Sequence, residues 1–343
     1  MRAAFLHGAR DIRLGEQPKP EVGPGEALVR VRAVGICGTD IHYYRDGHVG
    51  PTKVVEPLVL GHEFAGEVEA VGPGVHEVQV GDRVAVEPSI SCGRCEHCLA
   101  GNPNLCTHVR FVGTPPYHGG LREYVVHPAH LLFPFPTQLS FSDGALLEVL
   151  GIAMHSVDLA RMRVAQTVAV LGCGPIGLLI ADLARLSGAT EVYCTDILPW
   201  RVAAAKARGA DLALNAKETD VVAEIMAATR GRGVDVAFDV AGALDTPQQA
   251  VDVVCPGGKV VITGINADDR IPLRATEVRR KGVTIRLVRR MKNTYPRAIA
   301  LVSKGMVEVA SLATHRYPLD KVVEAFRVAD EQVPGMIKVV VEM

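Results

Sequence analysis

The sequence predicts an α/β protein of two domains, one of them built on a doubly wound parallel sheet. Three observations carry that expectation. A chain of 343 residues exceeds one ordinary compact unit and is long enough for two hydrophobic cores. Up to about residue 150, β-branched segments such as EALVRVRAVGI, EFAGEVEAVGPG, GDRVAVEP and LREYVVHP are broken by Gly and Pro, the texture of short strands and tight turns. From Ala165 strand, glycine turn and helix alternate: TVAVLG, PIGLLIADLARLSG, EVYCTD, PWRVAAAKARG, DVAFDVAG, LDTPQQAVDVV and GKVVITG. Such a βαβ series lays its strands parallel. The closing stretch has amphipathic helices near PRAIALVSKG and LDKVVEAFRVAD and an apolar strand in IKVVVEM, a pattern compatible with either domain. Internal repeats and low-complexity tracts are lacking.

Composition narrows the partner. Lys plus Arg number 37 and Asp plus Glu 38, a net charge of −1, so nothing in the charge balance attracts nucleic acid or an anionic membrane, and a small molecule is expected. A nucleic-acid role has neither a basic stripe nor an aromatic platform to support it. The opening MRAAFLHGARDIRLGE is interrupted by Gly8 and Asp11 before any long apolar run develops, so no secretory leader is read and a cytoplasmic protein is expected. The run TVAVLGCGPIGLLIADLA is nearly long and apolar enough to span a membrane. A strand, a phosphate-facing turn and a helix account for every residue in it instead.

That turn is Gly172-Cys173-Gly174-Pro175-Ile176-Gly177, the spacing G-x-G-x-x-G between the strand Val168 to Leu171 and a helix. The first glycine permits the tight turn, the second lets a pyrophosphate approach the backbone, and the third lets helix and strand pack closely, as in Rossmann domains. The next strand, EVYCTD, ends in Asp196, a carboxylate placed to accept from a ribose 2′-hydroxyl and to repel a 2′-phosphate. NAD is therefore favoured over NADP, with Arg201 the one nearby residue that suits a phosphate.

Eight cysteines divide into a cluster and four scattered residues, Cys37, Cys173, Cys194 and Cys255. The cluster, Cys92-x2-Cys95-x2-Cys98-x7-Cys106, lies in the polar loop SISCGRCEHCLAGNPNLC. In a cytosolic chain such clustering favours metal over disulfides. Four thiolates so close wrap a tetrahedral zinc that has no open position, hence a structural one. An iron–sulfur cluster fits less well, because the run lacks the C-x3-C-P ending. His97 and His108 read as solvated loop histidines.

In GHEFAG, His62 and Glu63 stand side by side. Neighbouring residues point apart in helix and strand, so the two converge on one ion only at a turn or strand end, where Gly61 permits unusual backbone angles. With Cys37 in VGICGTD and the isolated Glu148 in GALLEVLG, the candidate ligands are one sulfur, one nitrogen and two carboxylates. Three protein ligands and an exchangeable water make a catalytic zinc. The residues leave open which of Glu63 and Glu148 touches the metal.

These motifs together resemble the zinc-dependent medium-chain alcohol dehydrogenase superfamily over the whole chain. GHEFAGEVEAVGPGV is similar to its zinc signature, with glycines at 61, 66 and 72 and Val75 closing it, and VGICGTDIHYY, the four-cysteine lobe and GCGPIG fit as well. FVGTPPYHGGLREY and KNTYPRAIALVSKGMVEVASLATHRYPLDKVVEAF resemble the sorbitol and xylitol dehydrogenase branch, which implies a polyol substrate. The resemblance implies a GroES-like, partly open β-barrel catalytic domain, 1–152 and 297–343 with the zinc lobe at 89–107, and an NAD-binding Rossmann domain at 153–296. It further implies two zinc ions per subunit, NAD as cofactor and a homotetramer. In that branch the residues matching Cys37, His62 and Glu63 hold zinc with a water, and the one matching Glu148 touches that water or the substrate.

Chemistry then follows from the implied ion: zinc binds the substrate hydroxyl and lowers its pKa, and a hydride leaves carbon for the nicotinamide. Thr39 and His42 resemble the superfamily's hydroxyl and histidine proton relay. Tyr43 and Phe111 are expected to line the pocket. Arg290 matches an arginine that contacts substrate or nicotinamide, and Thr263, Gly264 and Ile265 join the expected cofactor-binding set.

Three departures bear on the substrate. Met291 stands where the polyol branch usually has a tyrosine, and a thioether cannot donate a hydrogen bond. Arg289 and Lys292 add positive charge beside the pocket, suited to a phosphorylated or acidic substrate. Glu148 lies in EVL rather than the more frequent Glu-Pro-Leu. Two rival functions are L-threonine 3-dehydrogenase, against which TPPYHGG and the NTYP to THRYPLD stretch speak, and a non-catalytic relative such as the lens crystallins, which lack the zinc set present here.

Overall fold

Apolar alternation in EALVRVRAVG produces the strand Glu26–Gly35, around which the first part of the protein is assembled. In the computed structural model, which describes residues 1–266 and 268–343, two units are separable: Met1–Gly151 with Lys292–Met343, and Ile152–Met291. In the first unit, Glu26–Gly35 pairs antiparallel with Glu63–Val71, Tyr124–Pro128 and Val339–Glu342. The sheet continues through Arg83–Val86 to Leu132–Pro134 on one side and to His315–Pro318 on the other. Register shifts between Leu28 and Val29 and between Val31 and Ala33 bend the central strand, as bulges do where a sheet curls. A smaller sheet joins Arg2–Gly8 to Asp11–Glu16 and Leu58–Val59.

Leu6, Leu60, Phe64, Leu121 and Phe326 are among the residues that fill the core of this unit. The helix Val322–Glu331 buries Val322, Ala325, Phe326 and Ala329, the i, i+3, i+4, i+7 stripe of an amphipathic helix. Phe326 meets Tyr44 with ring centroids 5.2 Å apart. Full burial of one such ring contributes roughly 1.5–3 kcal/mol.

In the second unit six parallel strands run in the order Leu212–Asn215, Glu191–Asp196, Thr167–Leu171, Val234–Asp239, Val254–Ile262, Thr284–Leu287. In chain order that is 3-2-1-4-5-6, the Rossmann arrangement. The inner strands Thr167–Leu171 and Val234–Asp239 are nearly wholly buried, as central strands of a parallel sheet are. The long helix Phe141–Ala160 carries Glu148 and contains the boundary between Gly151 and Ile152. Among the described residues no helix is long and apolar enough to cross a membrane, and the run TVAVLGCGPIGLLIADLA divides into a strand, a turn and a helix.

Candidate active site and dinucleotide turn

Three neighbouring strand ends build the first site. Glu26–Gly35 ends two residues before Cys37, Glu63–Val71 begins at Glu63, and Val339–Glu342 begins just after Lys338. Gly35 stands opposite Glu63 in the ladder, and Ile36 N donates to Val339 O at 3.0 Å. His62 and Glu63 can therefore face one point because the strand starts between them: Gly61 is in the left-handed region, φ 90°, immediately before the pair. Ligand atoms of Cys37, His62 and Glu63 all lie within 4.8 Å of one another. Glu148, on the long helix, is buried but is not one of that trio.

Buried charge surrounds the trio. Asp40, at the start of the helix Gly38–Asp46, accepts from Cys37 N at 2.9 Å and from Gly61 N at 3.2 Å, so one carboxylate clamps both ligand-bearing turns. Its Oδ1 lies 3.6 Å from His62 Nδ1, beyond hydrogen-bonding distance, and that buried nitrogen has no hydrogen-bond partner. Burial pulls the His62 imidazole down, yet Asp40 and the Cys37 sulfur outweigh it and hold its pKa well above the ordinary range. Such an anionic cage selects a cation, and sulfur, nitrogen and oxygen donors in one buried spot suit zinc.

Behind Glu63 stands Lys338, its ammonium 2.6 Å from the carboxylate and, like it, almost wholly buried. Burial pushes Lys338 down, but Glu63 and then Cys37 raise it above the usual lysine value, so it stays charged. Glu148 is pushed up to about 8, first by burial, then by Glu63 and Glu87 against the opposing pull of His62 and Lys338. Glu87 is a third buried carboxylate here. Tyr295 of NTYP, stacked on Phe133 with centroids 4.7 Å apart, donates from its hydroxyl to Val86 O at 2.6 Å beside it. Sequence reasoning missed Asp40, Lys338 and Glu87. Only Asp40 left a local signal, a carboxylate three residues after a helix N-cap.

Other expected site residues fall as follows. Thr39 and His42 lie one helical turn apart on Gly38–Asp46, with His42 Nδ1 3.7 Å from Asp46. Tyr43 is buried, and its pKa is raised by burial and by Asp40, with His62 opposing. Phe111 sets its ring 5.3 Å from the His62 ring. Lys292 donates to Asn102 Oδ1 at 2.7 Å. Arg290, in a left-handed conformation at φ 54°, and the buried Met291 close the second unit.

The four clustered cysteines also gather, with ligand atoms within 4.8 Å of one another. They are free thiols, Cys95 Sγ and Cys98 Sγ being 3.5 Å apart, far beyond a disulfide bond. Backbone N–H groups of Cys92 and His108 point at Cys106 Sγ, at 3.3 and 3.4 Å. The Cys95 thiol is lowered to about 6, chiefly by the backbone N–H of Cys98. Donors aimed at sulfur favour thiolates, the form that binds zinc.

At the dinucleotide turn, Gly172 has φ 104° and the helix Pro175–Leu186 starts from Gly174. A Cβ on Gly177 would overlap the Gly172 carbonyl, so the third glycine of the motif is what lets helix and turn close. Asp196 does more than the motif requires: Oδ2 accepts from Cys173 N at 2.7 Å and Oδ1 from Leu198 N at 3.0 Å. It therefore braces the turn while keeping lone pairs for a ribose. Arg201 Nη1 is 4.0 Å from Asp196 Oδ2. Thr263 N and Gly264 N donate to Asp239 O at 2.8 and 3.1 Å, while Ile265 is exposed at the strand end.

Comparison with known proteins agrees with this geometry. The alcohol dehydrogenase GroES-like domain model matches residues 23–137, and the zinc-binding dehydrogenase model matches residues 175–304. Sorbitol dehydrogenase of Bacillus subtilis (strain 168) is 39% identical over 341 residues, covering 99% of this chain and 97% of its own. L-idonate 5-dehydrogenase of Vitis vinifera is 36% identical over 94% of this chain and 90% of its own. Among solved structures, an Escherichia coli oxidoreductase/dehydrogenase of unknown specificity superposes with TM-score 0.94 at 34% identity, over 99% of this chain and 98% of that one. The 2R,3R-butanediol dehydrogenase of Bacillus subtilis superposes with TM-score 0.90 at 33% identity, over 100% and 99%.

The chain belongs to the zinc-dependent medium-chain alcohol dehydrogenase family, within its polyol dehydrogenase branch. It is an oxidoreductase of small molecules, with zinc and NAD as the family's cofactors and two cysteine-containing sets that fit the two zinc ions.

Proposed function

We propose that the protein oxidises a secondary hydroxyl of a polyol such as sorbitol or xylitol to the ketose, with NAD as hydride acceptor. The observation that carries this reading is the Cys37, His62 and Glu63 trio, its histidine and glutamate buried, inside a chain similar along its whole length to sorbitol dehydrogenase. When bound, zinc supplies a Lewis acid for the substrate oxygen and NAD takes the hydride.

The chain's own residues divide the remaining work. Asp40 holds the Cys37 and His62 turns in register. Burial raises the Glu148 carboxyl toward its neutral form, which suits a hydrogen bond with the reacting hydroxyl, and Thr39 with His42 offers a path for its proton toward Asp46. Phe111 and Tyr43 keep water from the His62 side. At the dinucleotide turn Gly172, Gly174, Pro175, Ile176 and Gly177 cradle the pyrophosphate, Asp196 takes the adenosine ribose, and Arg201, Thr263, Gly264, Ile265 and Arg290 complete the cofactor contacts. Cys92, Cys95, Cys98 and Cys106 hold a structural zinc.

The Lys292 ammonium donates to the neutral amide oxygen of Asn102 and keeps its charge. Met291 leaves the substrate without the tyrosine donor usual in the branch. The reading includes a cytoplasmic homotetramer, a mass that light scattering reads directly.

The test is the initial rate of NAD+ and NADP+ reduction on sorbitol, xylitol, other pentitols and hexitols, L-idonate, L-threonine and simple secondary alcohols. Fast turnover of a polyol with NAD+ is expected. Turnover of L-threonine or a simple alcohol alone would overturn the substrate assignment and leave the family intact.

A further inference from the structure

We propose that Asp239 is a positioning residue for the cofactor: its carboxylate fixes the turn that receives the nicotinamide half of NAD, acting through the backbone it holds. This rests on the NAD reading above. Asp239 ends the strand Val234–Asp239. In the parallel ladders it stands level with Leu171 on one side and Ile262 on the other, the residues just ahead of Gly172 and of Thr263. The strand order 3-2-1-4-5-6 reverses between the Leu171 and Asp239 strands, and a dinucleotide lies across that crevice, one mononucleotide on each half of the sheet. The Gly172 to Gly177 turn and Asp196 follow or end strands 1 and 2, the adenosine half. The ends of strands 4 and 5 are left for the nicotinamide half.

Asp239 ties those two ends together. Thr263 N and Gly264 N donate to Asp239 O at 2.8 and 3.1 Å, and Val240 N donates to Leu171 O at 2.8 Å. Asp239 Oδ1 accepts from Ala241 N at 3.2 Å and from Thr246 Oγ1 at 2.8 Å, so the carboxylate closes the turn 240–246 at both its ends. The neighbouring turns leave it no slack: a Cβ on Gly172 would overlap Ala241 N, one on Gly242 would overlap Ile265 O, and one on Gly264 would overlap Gly242 N. A shift of Ala241 and Gly242 must therefore move the dinucleotide turn or the 263–265 turn, because close-packed backbone transmits displacement. Asp239 is itself only 1% exposed, and its Oδ2 is buried with no partner. What a ligand can reach is the turn it holds, where Ala241 and Leu244 are exposed, as is Ile265. An unsatisfied oxygen in a buried carboxylate costs free energy. The two bonds made by Oδ1 are what that cost secures.

The experiment measures, by titration calorimetry on the zinc-loaded enzyme, the Kd of NADH and of ADP, which fills only the adenosine half. Wild type is compared with Asp239→Ala, Asp239→Asn and Thr246→Val. Asp239→Ala, which frees the turn, should weaken NADH about tenfold and leave ADP within about twofold. Asp239→Asn keeps an oxygen in the place of Oδ1 and should bind NADH as wild type does. Thr246→Val, which removes one of the two bonds while keeping the shape, should lose about fivefold on NADH alone. Equal losses on NADH and ADP would show a general brace of the fold, and an undiminished NADH affinity would show a turn that holds without the carboxylate; either overturns the proposal. So does an Asn variant that fares like Ala, since charge rather than position would then be at work. Should Asp239→Ala not fold, Thr246→Val and Asp239→Asn decide between the same outcomes. Wild type that binds NADPH but not NADH would remove the NAD reading, and the same variants titrated with NADPH would still decide Asp239.

Discussion

Lys338 Nζ lies 2.6 Å from both carboxylate oxygens of Glu63, a buried ion pair between residues 275 apart in the chain. From the other side, a Cβ on Gly35 would overlap Glu63 Oε2, so the carboxylate fits between a glycine and an ammonium. Desolvating two charges costs several kcal/mol each and is offset only by close geometry. The residue just ahead of the C-terminal strand thereby delivers a fixed positive charge to a site that also holds the Cys37 sulfur, the His62 imidazole and carboxylates.

Replacing Lys338 by Met should expose that dependence. Breaking a buried pair leaves the survivor uncompensated, worth about 3–5 kcal/mol. A zinc ion on Glu63 would offset part of the loss. Calorimetry of Lys338→Met is therefore expected to show a larger fall in Tm after chelation than with zinc bound; equal falls in the two states would separate Lys338 from the metal centre.

Cys95→Ser should cut bound zinc from two ions per chain to one and lower Tm, because a tetrahedral structural site does not survive the loss of one thiolate. Metal analysis beside thermal melting checks this. A variant retaining both ions would mean that the loop closes without Cys95.

Glu148→Gln preserves the shape of a buried carboxyl while removing its proton chemistry. Turnover is expected to fall about a hundredfold or more, with zinc content and Tm near wild type. Undiminished turnover would show that the buried carboxyl takes no part in the reaction.

His127 sets an acid limit. Its Nε2 is 2.9 Å from Glu87 O, and since a carbonyl only accepts, Nε2 carries the hydrogen. Burial, the largest influence, lowers its pKa to about 4. The unfolded chain, with a histidine value of about 6.5, binds more protons between those limits, so this contribution to stability is complete above about pH 6.5 and is lost as pH falls toward 4, by on the order of 3 kcal/mol. Urea midpoints measured across pH 4 to 7 should slope less in His127→Gln than in wild type.

Local chemistry made much of this protein legible in advance. The βαβ texture, the Gly172 to Gly177 turn with Asp196 beyond it, and the four clustered cysteines are short-range patterns whose spacing already constrains geometry. His62 and Glu63 were readable as a pair, but the residues alone left Glu63 and Glu148 equal as ligands. The fold distinguishes them: Glu63 starts a strand beside Cys37, whereas Glu148 stands on the long helix outside the close trio. Lys338 was illegible because a lysine ahead of VVVE looks like a solvated strand flank.

By itself, then, the sequence pointed to two domains, the dinucleotide turn and candidate metal donors, read mostly from short-range patterns. Only the tertiary structure decided which carboxylate joins Cys37 and His62 and what charge stands behind it. Those are pairings between distant strands, set by register, and hydrophobic periodicity specifies which face of a strand is buried without specifying which polar group it will meet there.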